Sequence, residues 1–326
     1  MHDLRWFAPN AYTTLIVPEL RRLGLAVATE GDAPARVAFA MSGLAADKAW
    51  RWARRQRAKL VVYLWDLPPQ GTGRGRPDPV WWIGGRFVRL PRPWGAYGRR
   101  RGYYSRLRFI AARADGLWAP STFTVETVHE RFALAAERVP YCYDSERFVV
   151  PDAADVHKGE PPLVLTVSRL RPHKNQALVL HAAALLGPSV RVRLIGRGPE
   201  AGALQTLAQR LGVACEVETA ADDAAVTRAY REAAVAVCPS RFEGFGLTPI
   251  EAIASGVPVV ASDIPPHREF VGAAATLVPP NDPAALVDAL HEVLRSATPA
   301  DPSHVAALTI PAAARRFLDR IRHFLE

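Results

Sequence analysis

Two carboxylates, a pair of glycines and the start of a helix occur together in the second half of the chain. The run Glu243-Gly244-Phe245-Gly246-Leu247-Thr248-Pro249-Ile250-Glu251 follows an apolar stretch that predicts a buried strand. Its glycines let the backbone approach a ligand closely, and a helix beginning at Leu247 would offer unpaired N–H groups to an anion. A carboxylate can accept two hydrogen bonds from adjacent hydroxyls, such as those of ribose or a hexose. A helix acid favoured by the macrodipole would explain Glu251 alone, but it leaves Glu243 and both glycines unexplained.

Two cations precede a predicted helix earlier in the same half. Arg169 and Lys174 lie in the loop after the apolar strand Leu163–Val167. In a parallel sheet such a loop lies at the carboxyl edge, where ligands bind. Arginine can hold two oxygens at once and lysine supplies a point charge, so the pair suits a diphosphate. Taken alone, the pair is better explained as solvated surface cations.

A shorter glycine motif follows the next predicted strand. Ile195-Gly196-Arg197-Gly198-Pro199-Glu200 lacks the third glycine and the downstream acid of a dinucleotide-binding fingerprint. A tight turn without a ligand and a loop that faces a nucleotide explain this motif equally well.

Apolar strands alternate with helical patterns through both halves of the 326-residue chain. In the first half the predicted strands are Leu4–Ala8, Arg36–Met41, Leu60–Leu64 and Asp115–Ala119. In the second half they are Leu163–Val167, Val190–Ile195, Cys215–Val217, Ala234–Pro239, Val257–Ala261 and Ala275–Val278. The alternation predicts an α/β protein with two doubly wound, Rossmann-like domains facing each other across a cleft.

The polar, proline-containing stretch Asp144–Pro162 predicts the linker between these domains. We therefore expect a first Rossmann-like domain over residues 1–148 and a second one over residues 149–307. The last segment, 308–326, contains an amphipathic helix that we assign to the first domain.

The net charge of +9 is concentrated in the first half. Residues 1–150 carry 24 Lys and Arg against 13 Asp and Glu, whereas the remainder carries 17 against 19. The window Lys48–Arg113 holds 17 basic residues and only two acids, Asp66 and Asp78. A field this one-sided attracts polyanions, whether nucleic acid, anionic lipid or a phosphorylated substrate.

Aromatic residues are mixed with these cations between Val80 and Phe109. The mixture is typical of a membrane interface, where aromatic side chains lie at headgroup depth and basic residues meet anionic lipid. An ordinary surface, with solvated arginines and rings packed inward, explains the segment equally well. Stacking on single-stranded nucleic acid is a third and weaker interpretation.

Cys142, Cys215 and Cys238 are odd in number and far apart, which predicts buried thiols in a reducing cytoplasm rather than disulfides or metal ligands. The first residues lack the basic head and apolar run of a secretory signal. No stretch reaches the roughly 18 uninterrupted apolar residues of a spanning helix. The sequence thus predicts a cytoplasmic protein that is either soluble or peripheral on the inner face of the membrane.

The motifs of the second half occur together in a fixed order. They are Val167-Ser168-Arg169-Leu170, Lys174, the Gly196–Glu200 turn, Pro239-Ser240, the Glu243–Glu251 run with Ala252, and Gly256-Val257-Pro258-Val259-Val260-Ala261. As a set, over residues 140–295, they resemble the C-terminal domain of the retaining glycosyltransferases of family 4, the glycosyl transferases group 1, which have the GT-B fold.

The resemblance implies a metal-independent, retaining hexosyltransferase that needs no cofactor, with an acceptor-side domain over residues 1–148 and a nucleotide-sugar-binding domain over residues 149–307. Its donor would be a UDP- or GDP-sugar, and its acceptor would be an unidentified hydroxyl, on a lipid-linked or polysaccharide acceptor. Arg169 and Lys174 would hold the diphosphate and stabilise it as it leaves. Glu243 would lie against the transferred sugar, and Glu251 would bind the ribose hydroxyls. The remaining donor contacts would come from Gly196, Gly198, Gly244, Phe245, Gly246 and Leu247. The lack of an Asp-x-Asp cluster agrees with metal independence.

The first half departs from the family pattern. Ala8-Pro9-Asn10 stands where many relatives have a glycine-rich loop, and Trp65-Asp66 stands where many have His-Asp. Asn10 and Asp66 are therefore the acceptor-side candidates. Two alternatives stay open: an inactive relative that binds membranes or nucleic acid through its basic region, and a nucleotide-sugar epimerase. The Glu243–Glu251 run favours transfer over epimerisation.

Overall fold

The computed structural model describes residues 2–7, 11–31, 33–65, 67, 81–83, 86–88, 95–152 and 159–326. The chain divides into two compact units, of which the first comprises Met1–Tyr141 with Ile310–Glu326 and the second comprises Cys142–Thr309. Each unit is built around one six-stranded parallel sheet. The sequence placed the domain limits at residues 148 and 307, and the acceptor-side and donor-side roles of the domains remain predictions.

In the first unit the sheet has the strand order β2-β1-β3-β4-β7-β8. The strands are β1 His2–Phe7, β2 Val27–Ala28, β3 Ala35–Ala40, β4 Lys59–Tyr63, β7 Gly116–Ala119 and β8 Glu137–Arg138; β5 Trp81–Ile83 and β6 Arg86–Val88 form a separate antiparallel pair. The helices are α1 Ala11–Arg22, α2 Gly43–Gln56, α3 Gly95–Ala111, α4 Thr122–Phe132 and the last helix of the chain, α11 Ile310–Arg322. Helix α4 begins after Ser121, whose hydroxyl caps the helix by accepting a hydrogen bond from the Thr124 amide at 3.1 Å.

An aromatic cluster ties the last helix to this sheet. Phe317 of α11 lies 5.5 Å from Trp6, 5.0 Å from Phe39 and 5.3 Å from Trp118, measured between ring centroids. All four side chains are fully buried. Such ring pairs stabilise a core beyond the area that they bury, which explains why a helix so late in the sequence belongs to the first unit.

In the second unit the strand order is β11-β10-β9-β12-β13-β14. The strands are β9 Leu163–Val167, β10 Arg191–Ile195, β11 Cys215–Glu218, β12 Ala233–Cys238, β13 Val259–Ser262 and β14 Ala275–Val278. The helices are α5 Gln176–Leu186, α6 Ala201–Leu211, α7 Asp223–Glu232, α8 Leu247–Ala254, α9 Pro265–Val271 and α10 Pro283–Ser296. The chain reverses its winding direction between β9 and β12, so their carboxyl ends form the crevice where such sheets bind ligands.

The predicted strands of the second unit agree closely with the structure, because β9 and β14 have the predicted bounds and the other four differ by one or two residues; α8 begins at the predicted Leu247. Helices α3 and α9 and the two-residue strands β2 and β8 were not predicted. Cys142 and Cys238 are buried as expected and Cys215 is partly exposed, and all three are free thiols. Among the described residues, no helix is both long and apolar enough to cross a membrane.

Candidate active site

The candidate site lies at the carboxyl ends of β9 and β12, which are neighbours in the second sheet. Helix α8 begins beside them at Leu247, and its N-cap Gly246 has a φ of 91° and no side chain to cap the helix. The Thr248 hydroxyl donates to the Val167 carbonyl at the end of β9, at 3.0 Å. The first amide groups of α8 therefore lie at the point where the sheet reverses its winding, and no side chain caps them.

Lys174 and Glu243 are in direct contact, although they are 69 positions apart in the chain. Lys174 Nζ lies 2.5 Å from Glu243 Oε1, and the same oxygen accepts a hydrogen bond of 2.6 Å from the Ser240 hydroxyl. The two side chains are only 12% and 15% exposed. Burial opposes the charge on Glu243, but Lys174 and the two hydrogen bonds outweigh it and hold the pKa of Glu243 below its ordinary value. The site thus holds a cation and a carboxylate side by side.

The loop that carries Lys174 is fixed by the neighbouring loop after β12. Asn175 adopts a left-handed backbone with a φ of 59°, and its side-chain amide donates to the carbonyls of Pro239 at 3.2 Å and Pro280 at 2.7 Å. The Arg241 amide donates to the His173 carbonyl at 2.8 Å. These bonds join the two loops at the crevice, so Lys174 and Glu243 are held against each other by backbone as well as by charge.

Arg169 lies in the same loop, and the structure places its side chain on the exposed surface. The loop is held by the Gly196–Glu200 turn, because the Leu170 amide donates to the Arg197 carbonyl at 3.0 Å. A Cβ atom at Gly196 would lie 1.9 Å from the Ser168 carbonyl oxygen, and one at Gly198 would lie 2.0 Å from the Leu170 carbonyl oxygen. Both glycines are therefore required for backbone packing, and their direct contact with a donor remains a prediction.

Glu251 lies on α8, about one turn after the helix begins, near the polar side chains of Asp144, Arg147 and Tyr230. Burial raises the pKa of Glu251 to about 7, Arg147 partly offsets this effect, and the neighbouring Asp144 adds to it. Arg147 itself is held by Asp223 at 2.8 Å and by the Thr227 hydroxyl at 3.2 Å. The Glu251 side chain therefore changes between its neutral and its charged form near neutral pH.

Sequence reasoning missed three residues of this region. Arg147 lies in the stretch that was interpreted as a linker. Asn175 directly precedes helix α5, where an asparagine is common and indicates no special role. His267 lies on helix α9, which was not predicted. None of the three belongs to a run with a recognisable spacing. Asn10 and Asp66 lie outside the described residues. Among those that are described, no three His, Cys, Asp or Glu side chains form a cluster suited to a metal ion, and metal independence remains a prediction.

Comparison with known proteins identifies the second unit. The family model named "Glycosyl transferases group 1" matches residues 152–305. The second unit is a glycosyl transferases group 1 domain. Within this domain the match spans Lys174, Glu243 and Glu251 together with all six strands.

The chain is also similar to curated proteins over part of its length. It is 31% identical over 226 residues to the GDP-mannose-dependent alpha-(1-6)-phosphatidylinositol monomannoside mannosyltransferase of Mycolicibacterium smegmatis, covering 63% of this chain and 58% of that one. It is 38% identical over 149 residues to a D-inositol 3-phosphate glycosyltransferase of Frankia alni, covering 41% and 37%. The chain thus spans from about a third to somewhat over half the length of these two relatives.

Solved structures extend the likeness to the whole chain. Anabaena Alr3699/HepE in complex with UDP superposes with a TM-score of 0.74, covering 99% of this chain and 100% of that one at 15% identity. At such an identity the likeness shows the fold alone. The fold predicted from the sequence, two doubly wound Rossmann-like units of the GT-B type, is confirmed.

Proposed function

We propose that the protein is a retaining glycosyltransferase that moves a sugar from a nucleotide-diphosphate donor to an acceptor hydroxyl, without a metal ion. The Lys174–Glu243 pair beside the uncapped start of α8 carries this proposal. Lys174 and the α8 amides supply the positive field for a leaving diphosphate, and Glu243 supplies an acceptor for sugar hydroxyls. Arg169, exposed at the same edge, adds a second cation that can turn toward the phosphates.

Relatives support a nucleotide-sugar donor and leave its base open. The Mycolicibacterium smegmatis relative is named as GDP-mannose-dependent, and one of the Anabaena structures is a complex with UDP-glucose. Both donors share the diphosphate and the ribose, which are the parts that Lys174 and Glu251 are proposed to bind. The base and the sugar are therefore the variables that an experiment must scan.

Donor binding tests the proposal directly. Isothermal titration calorimetry with UDP-glucose, UDP-N-acetylglucosamine, GDP-mannose and GDP, in buffer with excess chelator, should show one or more donors binding in the micromolar range. A coupled assay for released nucleoside diphosphate should then detect transfer or slow hydrolysis of the same donor. If no donor binds, the protein is an inactive relative and the proposal is wrong.

The first unit carries a basic surface that we propose meets an anionic membrane. A depression of about 340 Å³ is lined by Trp50, Arg54, Arg57, Lys59, Arg113 and Asp115, among other residues. Arg54 stacks on the Trp50 ring at 5.0 Å, and Arg113 stacks at 3.7 Å on Phe109, which is 37% exposed. Cations beside exposed aromatic rings suit the headgroup layer of a membrane, where each basic residue contributes about 1 kcal/mol.

Co-sedimentation with liposomes tests this contact. Vesicles that contain anionic lipid should pull down the protein at low salt, neutral vesicles should not, and added salt should release it. The double variant Arg54→Ser with Arg113→Ser should bind more weakly. The matched control, Arg210→Ser with Arg295→Ser, removes the same charge from exposed positions of the second unit and should bind as the wild type does. Equal binding by both variants, or binding to single-stranded nucleic acid alone, would contradict the proposal.

A further inference from the structure

A buried histidine lies directly behind the candidate donor loop, Ser240–Gly246. His267 belongs to the short helix α9, and its side chain is 1% exposed. A Cβ atom added at Gly246 would lie 3.1 Å from the Cδ2 atom and 3.3 Å from the Nε2 atom of the ring. The imidazole therefore lies close against the space that a side chain at position 246 would need, and a Cβ atom there would require the ring to shift by a few tenths of an ångström.

The hydrogen bonds of His267 fix its tautomer. Nδ1 lies 2.8 Å from the carbonyl oxygen of Ser262, and because a carbonyl only accepts, Nδ1 carries the proton. Burial lowers the pKa of His267, so the ring is neutral and Nε2 is a bare acceptor. Nε2 is buried and has no hydrogen-bond partner. A buried polar atom without a partner lowers the stability of the folded protein, which favours a functional explanation for a histidine at this position.

The strand β13 and helix α9 support the donor loop at three points. The buried Ser262 hydroxyl donates to the Ser240 carbonyl, and the Ser240 side chain in turn donates to Glu243. Phe270 packs on Phe245 with ring centroids 4.4 Å apart. His267 is the third point, and its ring faces the side of Gly246 where a Cβ atom would stand; α8 begins after Gly246 without a side-chain cap.

We infer that His267 is a positioning residue for the donor loop. Its flat, neutral ring, oriented by the bond from Nδ1–H to Ser262, holds the left-handed backbone of Gly246. It thereby aims the first amides of α8 and the Glu243 carboxylate at the donor. The inference deepens the proposed function, since it names what keeps the loop in the form that binds a diphosphate. Small misplacements of such groups lower turnover strongly, because the amides act most on the charge that develops as the diphosphate leaves.

Hydrogen exchange tests the positioning without any need for activity. In His267→Leu the ring and its donor are removed, so amides of residues 241–250 should exchange about tenfold faster, as expected for a locally loosened segment. In His267→Asn the side-chain N–H can still donate to Ser262, so part of the protection should return. Val271→Ala, which opens a small cavity in the same helix, should leave the exchange rates of residues 241–250 unchanged. Unchanged exchange in His267→Leu would overturn the inference, whether or not the protein transfers sugar.

Steady-state kinetics with the donor found by calorimetry then separate positioning from folding. We expect His267→Leu to lower kcat by roughly tenfold with little change in the donor KM, because the aligned amides act mainly in the transition state. The Asn variant should recover part of kcat, and Val271→Ala should match the wild type at the same folded fraction. A wild type without transfer would sink the proposed function and leave the exchange result standing. A kcat in His267→Leu equal to the wild type would overturn the positioning role.

Discussion

Replacing Lys174 with alanine removes the one cation that touches Glu243 within the part of the chain that the structure describes. The pair is mostly buried, so water replaces the ammonium poorly and the Glu243 carboxylate loses the partner that lowers its pKa. In the role proposed for Lys174, the donor would lose a charged contact to its diphosphate at the same time. The change therefore acts on binding through the phosphate and on stability through Glu243.

The expected loss in donor binding is about 2–4 kcal/mol, the range for removing one member of a desolvated charge pair. It corresponds to a rise in the dissociation constant of roughly 30-fold to 700-fold, at 1.4 kcal/mol for each factor of ten. Glu243 keeps the 2.6 Å hydrogen bond from Ser240, so the loop stays partly anchored and the protein should still fold.

Calorimetric titration of donor into Lys174→Ala measures this loss, with Lys59→Ala as the control for removing an exposed lysine elsewhere. The double variant Lys174→Ala with Glu243→Gln separates the two effects. It leaves no unpaired buried charge, so its melting temperature should recover while its donor affinity stays low.

Wild-type donor affinity in Lys174→Ala would refute the assignment of Lys174 to the phosphates. Recovery of affinity together with stability in the double variant would show that the pair serves folding alone. Either result would require a different cation, with Arg169 as the next candidate, to hold the diphosphate.

Two further predictions follow from Glu251 and Gly198. Because the pKa of Glu251 is raised to about 7, donor affinity should rise between about pH 6 and pH 8 as the carboxylate forms, and Glu251→Gln should flatten that rise. The raised pKa of Glu251 also makes the stability of the folded protein depend on pH. Its contribution to the free energy of unfolding is fully present below pH 4.5, the ordinary pKa of a glutamate, and is lost as the pH rises through about 7. Gly198→Ala should destabilise the protein by about 2 kcal/mol or more, because its Cβ would meet the Leu170 carbonyl at 2.0 Å.

A second variant of the same protein serves as the control for each of these two predictions. A pH profile of donor affinity that is the same in wild type and Glu251→Gln would contradict the role of Glu251. Thermal unfolding compares Gly198→Ala with Gly202→Ala, where an added Cβ meets no atom within 4 Å on helix α6. The latter should be neutral or slightly stabilising, since alanine is the better helix former. Equal melting temperatures of the two variants would show that the turn accommodates a Cβ atom at position 198 without a loss of stability.

Much of the second unit could be read from the sequence because its signals are local. The apolar runs Leu163–Val167 and Ala275–Val278 and the helix start at Leu247 need only their own residues to be recognised. The structure gives the two strands their predicted bounds and begins α8 at Leu247. Helix α9 was missed because it has seven residues and begins with two prolines, which read as a turn. Helix α3 was missed because its arginines and tyrosines were interpreted for the partners that they could bind and not for a helical period.

The sequence by itself determined the two-unit α/β fold and pointed to Lys174, Glu243 and Glu251 as candidates, since periodicity, glycines and helix starts are properties of neighbours in the chain. Only the tertiary structure decided which of those residues meet. Lys174 pairs with Glu243 because β9 lies beside β12, and that order follows from how the whole sheet packs. Arg169 stays at the surface, Gly196 and Gly198 serve the packing of a neighbouring loop, and burial raises the pKa of Glu251 to about 7. Each of these outcomes depends on burial and on partners distant in sequence, which no local pattern encodes.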